Sequence, residues 1–289
     1  MQEFADIIEK YKAIDLTEQL SSKEGLKEFS TMFYEDVAEI YDAVTRIKNV
    51  ERNPTGFSLN DAAILGLLVR IWKLLKEVVA YYKADNGQIV SHFDRQIVES
   101  AITVSYLLIK DDDELIEDYR KCSYKNRLEA LEEAETNEFY STPAGIRLLA
   151  SIREKMTDEG FNQKSFEQQK RRRWRLEGKS FRQIFEQLEP DEFYKLIYGI
   201  PSESLHGSWN ESLDFDLAKN EDGTYSPYPF YQPVDVRFVT PILRLTNDPY
   251  LLWLERIDCK DEYFEKIFKW IENINKRLFI AFEETYDLC

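Results

Sequence analysis

The feature that most constrains the fold is the helical spacing of apolar residues in a chain with few helix breakers. Residues 61–83 carry apolar side chains on a wide face at intervals of three and four. Similar patterns run through residues 16–51 and 90–110. The 289 residues include only 10 Gly and 9 Pro, whereas 32% are charged. We therefore predict an all-α protein, a bundle of about nine or ten helices.

Turn residues divide the predicted helices. Residues 53–56 (Asn-Pro-Thr-Gly) end the first long pattern, and Asn60 is predicted to cap the helix over residues 61–83. Pro241 is expected to bend a helix over residues 234–256. We predict a helical extension at residues 1–55 and a main helical domain with a single core at residues 56–289.

Residues 210–233 differ from the rest of the chain. Apolar and polar residues alternate up to Leu217, Asp222 and Gly223 form a turn signal, and prolines and tyrosines follow. The prolines argue against a central strand. We predict a surface flap or a small hairpin here.

The formal net charge of −16 makes long-range attraction to nucleic acid or anionic membranes unfavourable, so nucleic acid would need a local basic patch. Cys122, Cys259 and Cys289 share no short spacing, which matches neither a zinc site nor a disulfide framework. No apolar run is long enough to span a bilayer, and residues 1–10 do not resemble a signal peptide. We expect a cytoplasmic protein without cofactor or membrane partner.

Residues 194–209, YKLIYGIPSESLHGSW, contain His206, one of only two histidines. His206 is a structural side chain, a general acid or base, or a metal ligand. Glu203 and His206 have the Glu-x-x-His spacing of di-iron bundles, but Ile89 stands three residues before His92, so the required second copy is missing. We therefore predict no metal.

Arg95 and Glu99 lie four residues apart on a helix whose other positions are largely apolar. They form either an ordinary surface ion pair or a partly buried pair that orients a third group. In the second case Arg95, Glu99 and His206 would form one catalytic site, supported by Ser202 and Tyr198.

The sequence KRRRWR at residues 170–175 is the one basic cluster in this acidic chain. It is either a solvated loop that neutralises acidic helices or a phosphate-binding surface on which Trp174 stacks against bases. We take the second interpretation as the candidate nucleic-acid or phosphate site and assign to it five arginines and this tryptophan: Arg171, Arg172, Arg173, Trp174, Arg175 and Arg182.

Several of these motifs, in this order, resemble a bacterial all-helical family of unknown function. The shared features are Arg95-x3-Glu99, a segment from Trp174 to Arg182, and a Tyr-rich helix that ends in Ser202-x3-His206. The resemblance covers about residues 64–209. It implies a build similar to the HEPN superfamily of toxin–antitoxin and phage-defence systems, and a homodimer.

HEPN ribonucleases carry Arg-x4–6-His, in which His is thought to activate the RNA 2′-hydroxyl and Arg to stabilise the phosphorane. The corresponding positions here are Gly199, Ile200 and Pro201, so the motif is absent in that form. Our hypothesis is that Arg95 supplies the cation from another helix.

Two functions therefore remain open. One is a metal-independent RNA- or nucleotide-directed enzyme with His206 as general base. The other is a non-catalytic scaffold whose acidic helices, around residues 111–118 and 129–138, bind a basic protein partner.

Overall fold

Helices make up 73% of the protein and strands 2% in a computed structural model, which describes residues 2–202 and 206–285. The α-helices of these two ranges are α1 (Gln2–Lys12), α2 (Leu16–Gln19), α3 (Lys23–Thr45), α4 (Leu59–Lys83), α5 (Gly87–Lys110), α6 (Asp113–Cys122), α7 (Lys125–Glu132), α8 (Pro143–Asp158), α9 (Glu167–Arg171), α10 (Phe181–Phe185), α11 (Asp191–Phe193), α12 (Trp209–Glu211), α13 (Thr240–Arg256) and α14 (Glu262–Thr285). The all-α prediction is confirmed.

The predicted number of nine or ten helices is too low, since the described ranges contain 14. One cause is that some helical stretches divide into two helices. Residues 16–51, whose pattern fits either one long helix or a broken pair, form α2 and α3, and residues 113–132 form α6 and α7. The other cause is that α9, α11 and α12 are too short to show a helical period in the sequence.

Five long helices form the core of the bundle. α5 packs between α4 and α13, α3 packs on α4, and α14 packs on α13 and α3. Their apolar faces bury large side chains such as Tyr34, Tyr82 and Trp253 completely, and Tyr41 stacks on Tyr250 with ring centroids 4.0 Å apart. Each such side chain stabilises the fold by about 1.5–3 kcal/mol, so this packing fixes the position of α5.

Helix caps differ from the sequence-based prediction at α4. Ser58 caps this helix, because its side chain accepts a hydrogen bond from the Asp61 backbone N–H at 3.1 Å. Asn60, the predicted cap, lies inside the helix, where its amide Oδ1 accepts a hydrogen bond from Arg120 at 3.0 Å. Both residues have capping side chains, and the tertiary contact decides between them.

Pro241 does not bend a long helix, contrary to the prediction. α13 begins at Thr240, so Pro241 lies in its first turn, where the missing N–H costs no hydrogen bond. A short 3₁₀ helix, Val236–Phe238, precedes it. The proline inside α13 is Pro249, which is buried.

A smaller apolar cluster lies under α7, α8 and α9. Trp174 packs at its edge, and its buried members are Tyr124, Leu128, Ala130, Ile152, Met156 and Phe166. Helices α1 and α3, by contrast, belong to the same apolar cluster as α4 and α5. Their buried side chains there include Phe4 and Tyr11 from α1 and Leu26, Phe29 and Phe33 from α3. The boundary between residues 55 and 56 stays a prediction.

The flap at residues 210–233 contains the predicted hairpin. Strands β1 (Leu217–Lys219) and β2 (Tyr225–Pro227) pair antiparallel, with Ala218 opposite Ser226. Gly223 takes a φ of 84° in the connecting turn, a conformation that favours glycine. The stretch before β1, Ser212–Asp216, is a π-helical turn and not a strand.

Two hydrogen bonds fasten this flap to the start of α5. The Gly87 backbone N–H donates to the carbonyl of Gln232 at 3.0 Å. The Gln88 side chain donates to the carboxylate of Asp216 at 3.2 Å. The flap is therefore held at Asp216 and Gln232 beside the helix that carries Arg95 and Glu99.

Candidate active site

Arg95, Glu99 and His206 lie in contact. The Arg95 Nε donates to Glu99 Oε1 at 3.1 Å, and its Nη1 lies 3.2 Å from His206 Nε2, across 111 residues of sequence. Arg95 is partly buried, Glu99 is more exposed, and His206 is exposed. The structure thus brings together the three residues that the sequence analysis grouped as one site.

Tyr198 completes this cluster from the other side. Its hydroxyl donates to Glu99 Oε1 at 2.5 Å, and the Arg95 guanidinium lies over its ring, 5.0 Å from the centroid. The ring also packs 4.6 Å from Phe181. Tyr198 therefore holds both members of the ion pair, the supporting position that the sequence analysis gave it.

A widened helical turn brings Tyr198 to α5. The Tyr-rich helix before Ser202 is α-helical only at α11 and continues as a π-helix over Tyr194–Gly199. The Ser202 hydroxyl donates to the carbonyl of Tyr198 at the end of this turn. Since π-turns are frequent at functional sites, this irregular element is consistent with a site at this position.

The contact between Arg95 and His206 has a defined donor. A guanidinium has only donors, so His206 Nε2 accepts and the ring proton then lies on Nδ1. The lone pair that a general base would use is thus directed at Arg95. A bound anion that draws the guanidinium away would leave Nε2 open to accept a proton.

Burial and the Glu99 carboxylate shift the pKa values of Tyr198 and Arg95. Desolvation, and then the hydrogen bond to Glu99, raises the pKa of the Tyr198 phenol, so Tyr198 acts as a donor at neutral pH. Desolvation acts to lower the pKa of Arg95, but the contacts with Glu99 and Tyr198 outweigh it and raise that pKa. The cluster therefore holds a permanent cation beside an imidazole.

Three of the six basic-cluster residues have exposed, unpaired side chains. Arg171, Arg173 and Arg175 form no ion pair with any residue that the structure describes. Arg172 pairs with Asp118 at 3.3 Å, and Arg182 pairs with two acidic residues at 2.6 and 2.7 Å: Glu186 and Asp191. We call Arg171, Arg173 and Arg175 the arginine patch.

Trp174 packs against the smaller apolar cluster, and its stacking on bases stays a prediction. Its indole is half-buried and packs 6.1 Å from Phe166 in the smaller apolar cluster. Arg173 and Trp174 take φ of 54° and 58°, which turns the chain back after α9. This turn directs Trp174 inward and leaves the neighbouring arginines outside.

α5 connects the arginine patch to the candidate site. The Tyr106 hydroxyl donates to Glu177 and accepts from Lys179 Nζ at 2.6 Å, so the segment after the patch docks on Tyr106. Tyr106 lies seven residues after Glu99, two turns along the same helix face. At 1.5 Å per residue this is roughly 10 Å.

Metal ligation has no support within residues 2–202 and 206–285. No group of three or more His, Cys, Asp or Glu side chains in these ranges is arranged to hold a metal ion. Glu203, the partner in the Glu-x-x-His spacing, lies outside the described residues.

None of the described helices is both long and apolar enough to cross a membrane.

More than half of the chain matches a known protein family. Residues 61–224 match the sequence profile of the Family of unknown function (DUF5677), which is more than half of the 289 residues. The chain belongs to this family. Searches of curated proteins and of solved structures found no match.

The DUF5677 stretch contains the whole candidate site. It begins at Asp61 in α4, includes Arg95, Glu99 and His206 together with the arginine patch, and ends in the hairpin turn. α13 and α14 lie outside it. The family match therefore agrees with the resemblance to a helical family of unknown function that the sequence motifs suggested.

Two exposed aromatic residues near the site were missed by the sequence analysis. Trp209 is 62% exposed and contacts Tyr225 of β2 edge to face, at 6.2 Å between centroids. Trp209 follows His206 by three residues. The sequence did contain a signal for them. The proline-rich flap was predicted to lie at the surface, so aromatic residues in or beside it were not expected to be buried in the core.

Proposed function

We propose that this DUF5677 protein is a metal-independent enzyme that acts on RNA or a nucleotide, with His206 as its general base. The observation that carries the proposal is the contact between Arg95 and His206. An ordinary surface ion pair between Arg95 and Glu99 would need no imidazole on its outer side. The arrangement instead places a cation and an exposed base side by side, anchored by Glu99 and Tyr198.

Each residue has one role in the proposed reaction. A substrate phosphate takes the Arg95 N–H donors, which frees His206 Nε2 to remove the proton of the attacking hydroxyl. In RNA that hydroxyl is the 2′-OH: its oxygen forms a bond to phosphorus, the bond to the 5′-oxygen breaks, and water protonates the leaving oxygen. Glu99 and Tyr198 hold the guanidinium in place and touch no reacting atom.

The arginine patch and the exposed aromatics supply binding. Arg171, Arg173 and Arg175 carry charge that no described acidic residue neutralises, and the segment that follows them docks on α5 at Tyr106 through Glu177 and Lys179. Trp209, three residues after His206, and Tyr225, whose ring contacts it, offer flat faces on which a base can stack. In this proposal they take the role that the sequence analysis gave to Trp174.

The biological setting is part of the same proposal. The resemblance to HEPN proteins suggests a bacterial defence or toxin system, a cytoplasmic location and a homodimer. The absent Arg-x4–6-His spacing is compensated, in this proposal, by Arg95 from a separate helix. Light scattering of the purified protein tests the dimer.

The test is cleavage of a labelled single-stranded RNA, and of ATP and GTP, by the purified full chain in the presence of EDTA. We expect His206→Ala to lower the rate by about 10²–10⁴-fold, the usual contribution of a general base. Arg95→Lys keeps the charge but loses the two-pronged geometry, so it should also lower the rate.

His92→Ala is the matched control, because it removes the other histidine of the chain, which lies on α5, the helix of Arg95. It should leave the rate unchanged. Full activity of His206→Ala, or an unmodified protein that is inactive on every substrate under these conditions, would show that the proposal is wrong.

A scaffold function remains the second candidate because of one feature of α6. Asp112, Glu114, Glu117 and Asp118 line a groove of 380 Å³ that can accept a basic chain. Reversal of charge at Glu114 and Glu117, which both line this groove, should abolish binding of an oligolysine peptide, measured by calorimetry. Binding that survives the reversal would contradict this second function.

A further inference from the structure

Phe181, the first residue of α10, packs against the candidate active site. Its ring centroid lies 4.6 Å from that of Tyr198, with the two ring planes 41° apart. Phe181 is half-buried and packs at the edge of the main apolar cluster. Since the Tyr198 hydroxyl donates to Glu99, Phe181 is linked to the ion pair through one aromatic ring.

The residues around Phe181 fix its backbone. Ser180 caps α10, because its side chain accepts a hydrogen bond from the Gln183 backbone N–H at 3.3 Å, and Gln183 Oε1 accepts one from the Ser180 backbone N–H at 2.8 Å. One residue earlier, Lys179 Nζ donates to the Tyr106 hydroxyl of α5 at 2.6 Å. The chain at Phe181 is therefore fixed both to its own helix and to the helix that carries the ion pair.

Arg182 fixes the start of the helical turn that carries Tyr198. It donates to the Asp191 carboxylate at 2.7 Å, and its guanidinium lies 5.3 Å from the centroid of the Tyr194 ring. Asp191 opens α11, and Tyr194 opens the π-helix that contains Tyr198. Phe181 and Arg182 therefore contact two points of the same turn from consecutive positions in α10.

The ring of Tyr198 has three neighbours that fix its plane. Besides Phe181 they are Tyr194, 5.1 Å away between centroids, and the Arg95 guanidinium, 5.0 Å from the ring centroid. A phenol that rotates away from its acceptor loses its hydrogen bond, because such bonds weaken steeply with angle and distance. Phe181→Leu removes one ring from this packing, which leaves the hydroxyl free to move off Glu99.

We propose that Phe181 is a positioning residue of the candidate active site. Its ring holds the Tyr198 hydroxyl on Glu99. That hydrogen bond in turn keeps Arg95 beside His206. Phe181 acts only through Tyr198 and meets no reacting atom. The effect on catalysis rests on the proposed function, whereas the effect on the geometry of the cluster does not.

A double-mutant cycle in urea tests the positioning without any enzymatic activity. Tyr198→Phe should lower the urea midpoint of the unmodified chain, because it removes the hydrogen bond to Glu99. In the Phe181→Leu background, where the hydroxyl is no longer held, the same change should produce a much smaller shift. An equal shift in both backgrounds would overturn the proposal, and so would no shift in the unmodified chain.

Phe185→Leu is the matched control. Phe185 lies on the same helix, is fully buried and contacts Tyr194 at 5.5 Å between centroids. This variant loosens the packing of α10 but keeps the ring that lies 4.6 Å from Tyr198. Tyr198→Phe should shift its urea midpoint as much as that of the unmodified chain. If the shift is lost here too, general loosening of α10 explains the result and the proposal is wrong.

The kinetics of single-stranded RNA cleavage test the consequence for catalysis. Phe181→Leu should lower kcat by up to about 10²-fold, the cost of a small misplacement of a catalytic group. KM should not change, because the arginine patch is intact. Phe181→Tyr keeps the ring and should therefore keep kcat. A change in KM alone, or an unchanged kcat for Phe181→Leu, would overturn the catalytic role.

Failure of the proposed function gives a different result. An unmodified chain that cleaves neither RNA nor a nucleotide would overturn that function. The urea cycle would then decide alone whether Phe181 positions Tyr198.

Discussion

At the scale of single residues, the geometry of the ion pair between Arg95 and Glu99 depends on the hydrogen bond from the Tyr198 hydroxyl to Glu99. This hydrogen bond is partly buried, so it is not fully screened by water. We expect Tyr198→Phe to lower the free energy of unfolding by about 1 kcal/mol, since Glu99 is partly exposed and can regain water. Urea denaturation measures this loss.

Tyr231→Phe is the control for this variant, because Tyr231 is 66% exposed. It should leave the unfolding curve unchanged. If both variants unfold at the same urea concentration as the unmodified protein, the hydroxyl of Tyr198 does not anchor Glu99.

Asp94 gives a residue-scale prediction with a pH dependence. Asp94 precedes Arg95 in the sequence and its carboxyl is buried. Desolvation raises the pKa of this carboxyl well above its usual value. The unfolded chain loses this proton above about pH 4 while the folded protein keeps it, so the group's contribution to stability falls as pH rises. Asp94→Asn should remove this fall.

Urea denaturation from about pH 4 to about pH 8 checks the sign. The stability of Asp94→Asn relative to the unmodified protein should increase with pH over this range. Asp214→Asn, which removes an exposed carboxylate, should show no such trend. A difference that stays constant or decreases for Asp94→Asn contradicts the assignment.

Residue identities and spacing indicated part of the site. Arg95 and Glu99 pair as their i, i+4 spacing predicts, and the Tyr-rich helix before His206 does support the cluster. The packing of Trp174 against the smaller cluster was not predictable, because it depends on positive φ angles at Arg173 and Trp174. These angles are typical of glycine, and neither residue is a glycine. The turn at these two residues leaves the arginine patch exposed.

At the scale of elements, Arg256 links three segments of the bundle. At the end of α13 it donates to Asp61 of α4 at 2.7 Å, to Asp113 of α6 at 3.0 Å, and also to Asp111. The side chains of Arg256 and Asp61 are 10% and 5% exposed. Arg256→Leu would leave the Asp61 carboxylate buried without its cation, so we expect a loss of about 3 kcal/mol in unfolding free energy.

Lys266→Leu is the control, since its pair with Glu262 is exposed on both sides and should contribute less than about 0.5 kcal/mol. The double variant Asp61→Leu, Arg256→Leu should recover part of the loss, because no buried charge remains. Urea denaturation measures all three. If Arg256→Leu is as stable as Lys266→Leu, this contact does not hold the helices together.

Element boundaries were predictable where one strong signal stands alone. α8 begins at Pro143, a residue favoured at the first helical position, and Ser180 caps α10, so one local signal marks each start. Boundaries failed where two signals compete, as between Ser58 and Asn60, or where a proline fits either inside a helix or at its start, as Pro241 does. Tertiary contacts make these choices, and a single sequence does not contain them.

At the scale of the whole molecule, helical periodicity predicts which residues are buried but not which helices meet. The approach of residues separated by 111 positions, Arg95 and His206, follows from the packing of α5 against the π-helical turn and not from any local pattern. The predicted number of helices was too low for a related reason. The shortest helices form only where tertiary contacts stabilise them.

The net charge of −16 makes the salt dependence of RNA binding the most informative whole-molecule measurement. Every phosphate contact at the arginine patch releases condensed cations, so log K should fall with log of salt concentration. For single strands the slope changes by about 0.7 per contact. Conversion of Arg171, Arg173 and Arg175 to Gln should therefore reduce the slope by about 2, as measured by fluorescence anisotropy with single-stranded RNA.

Conversion of Lys266, Lys269 and Arg277 to Gln on α14 changes the net charge equally at exposed positions elsewhere. This variant should keep the slope, because a local contact releases counterions while a distant charge only adds to the screened field. If both triple variants lose the same slope, RNA responds to total charge alone and the arginine patch is not its binding surface. If only the patch variant does, the patch binds the RNA backbone despite the negative charge of the whole protein.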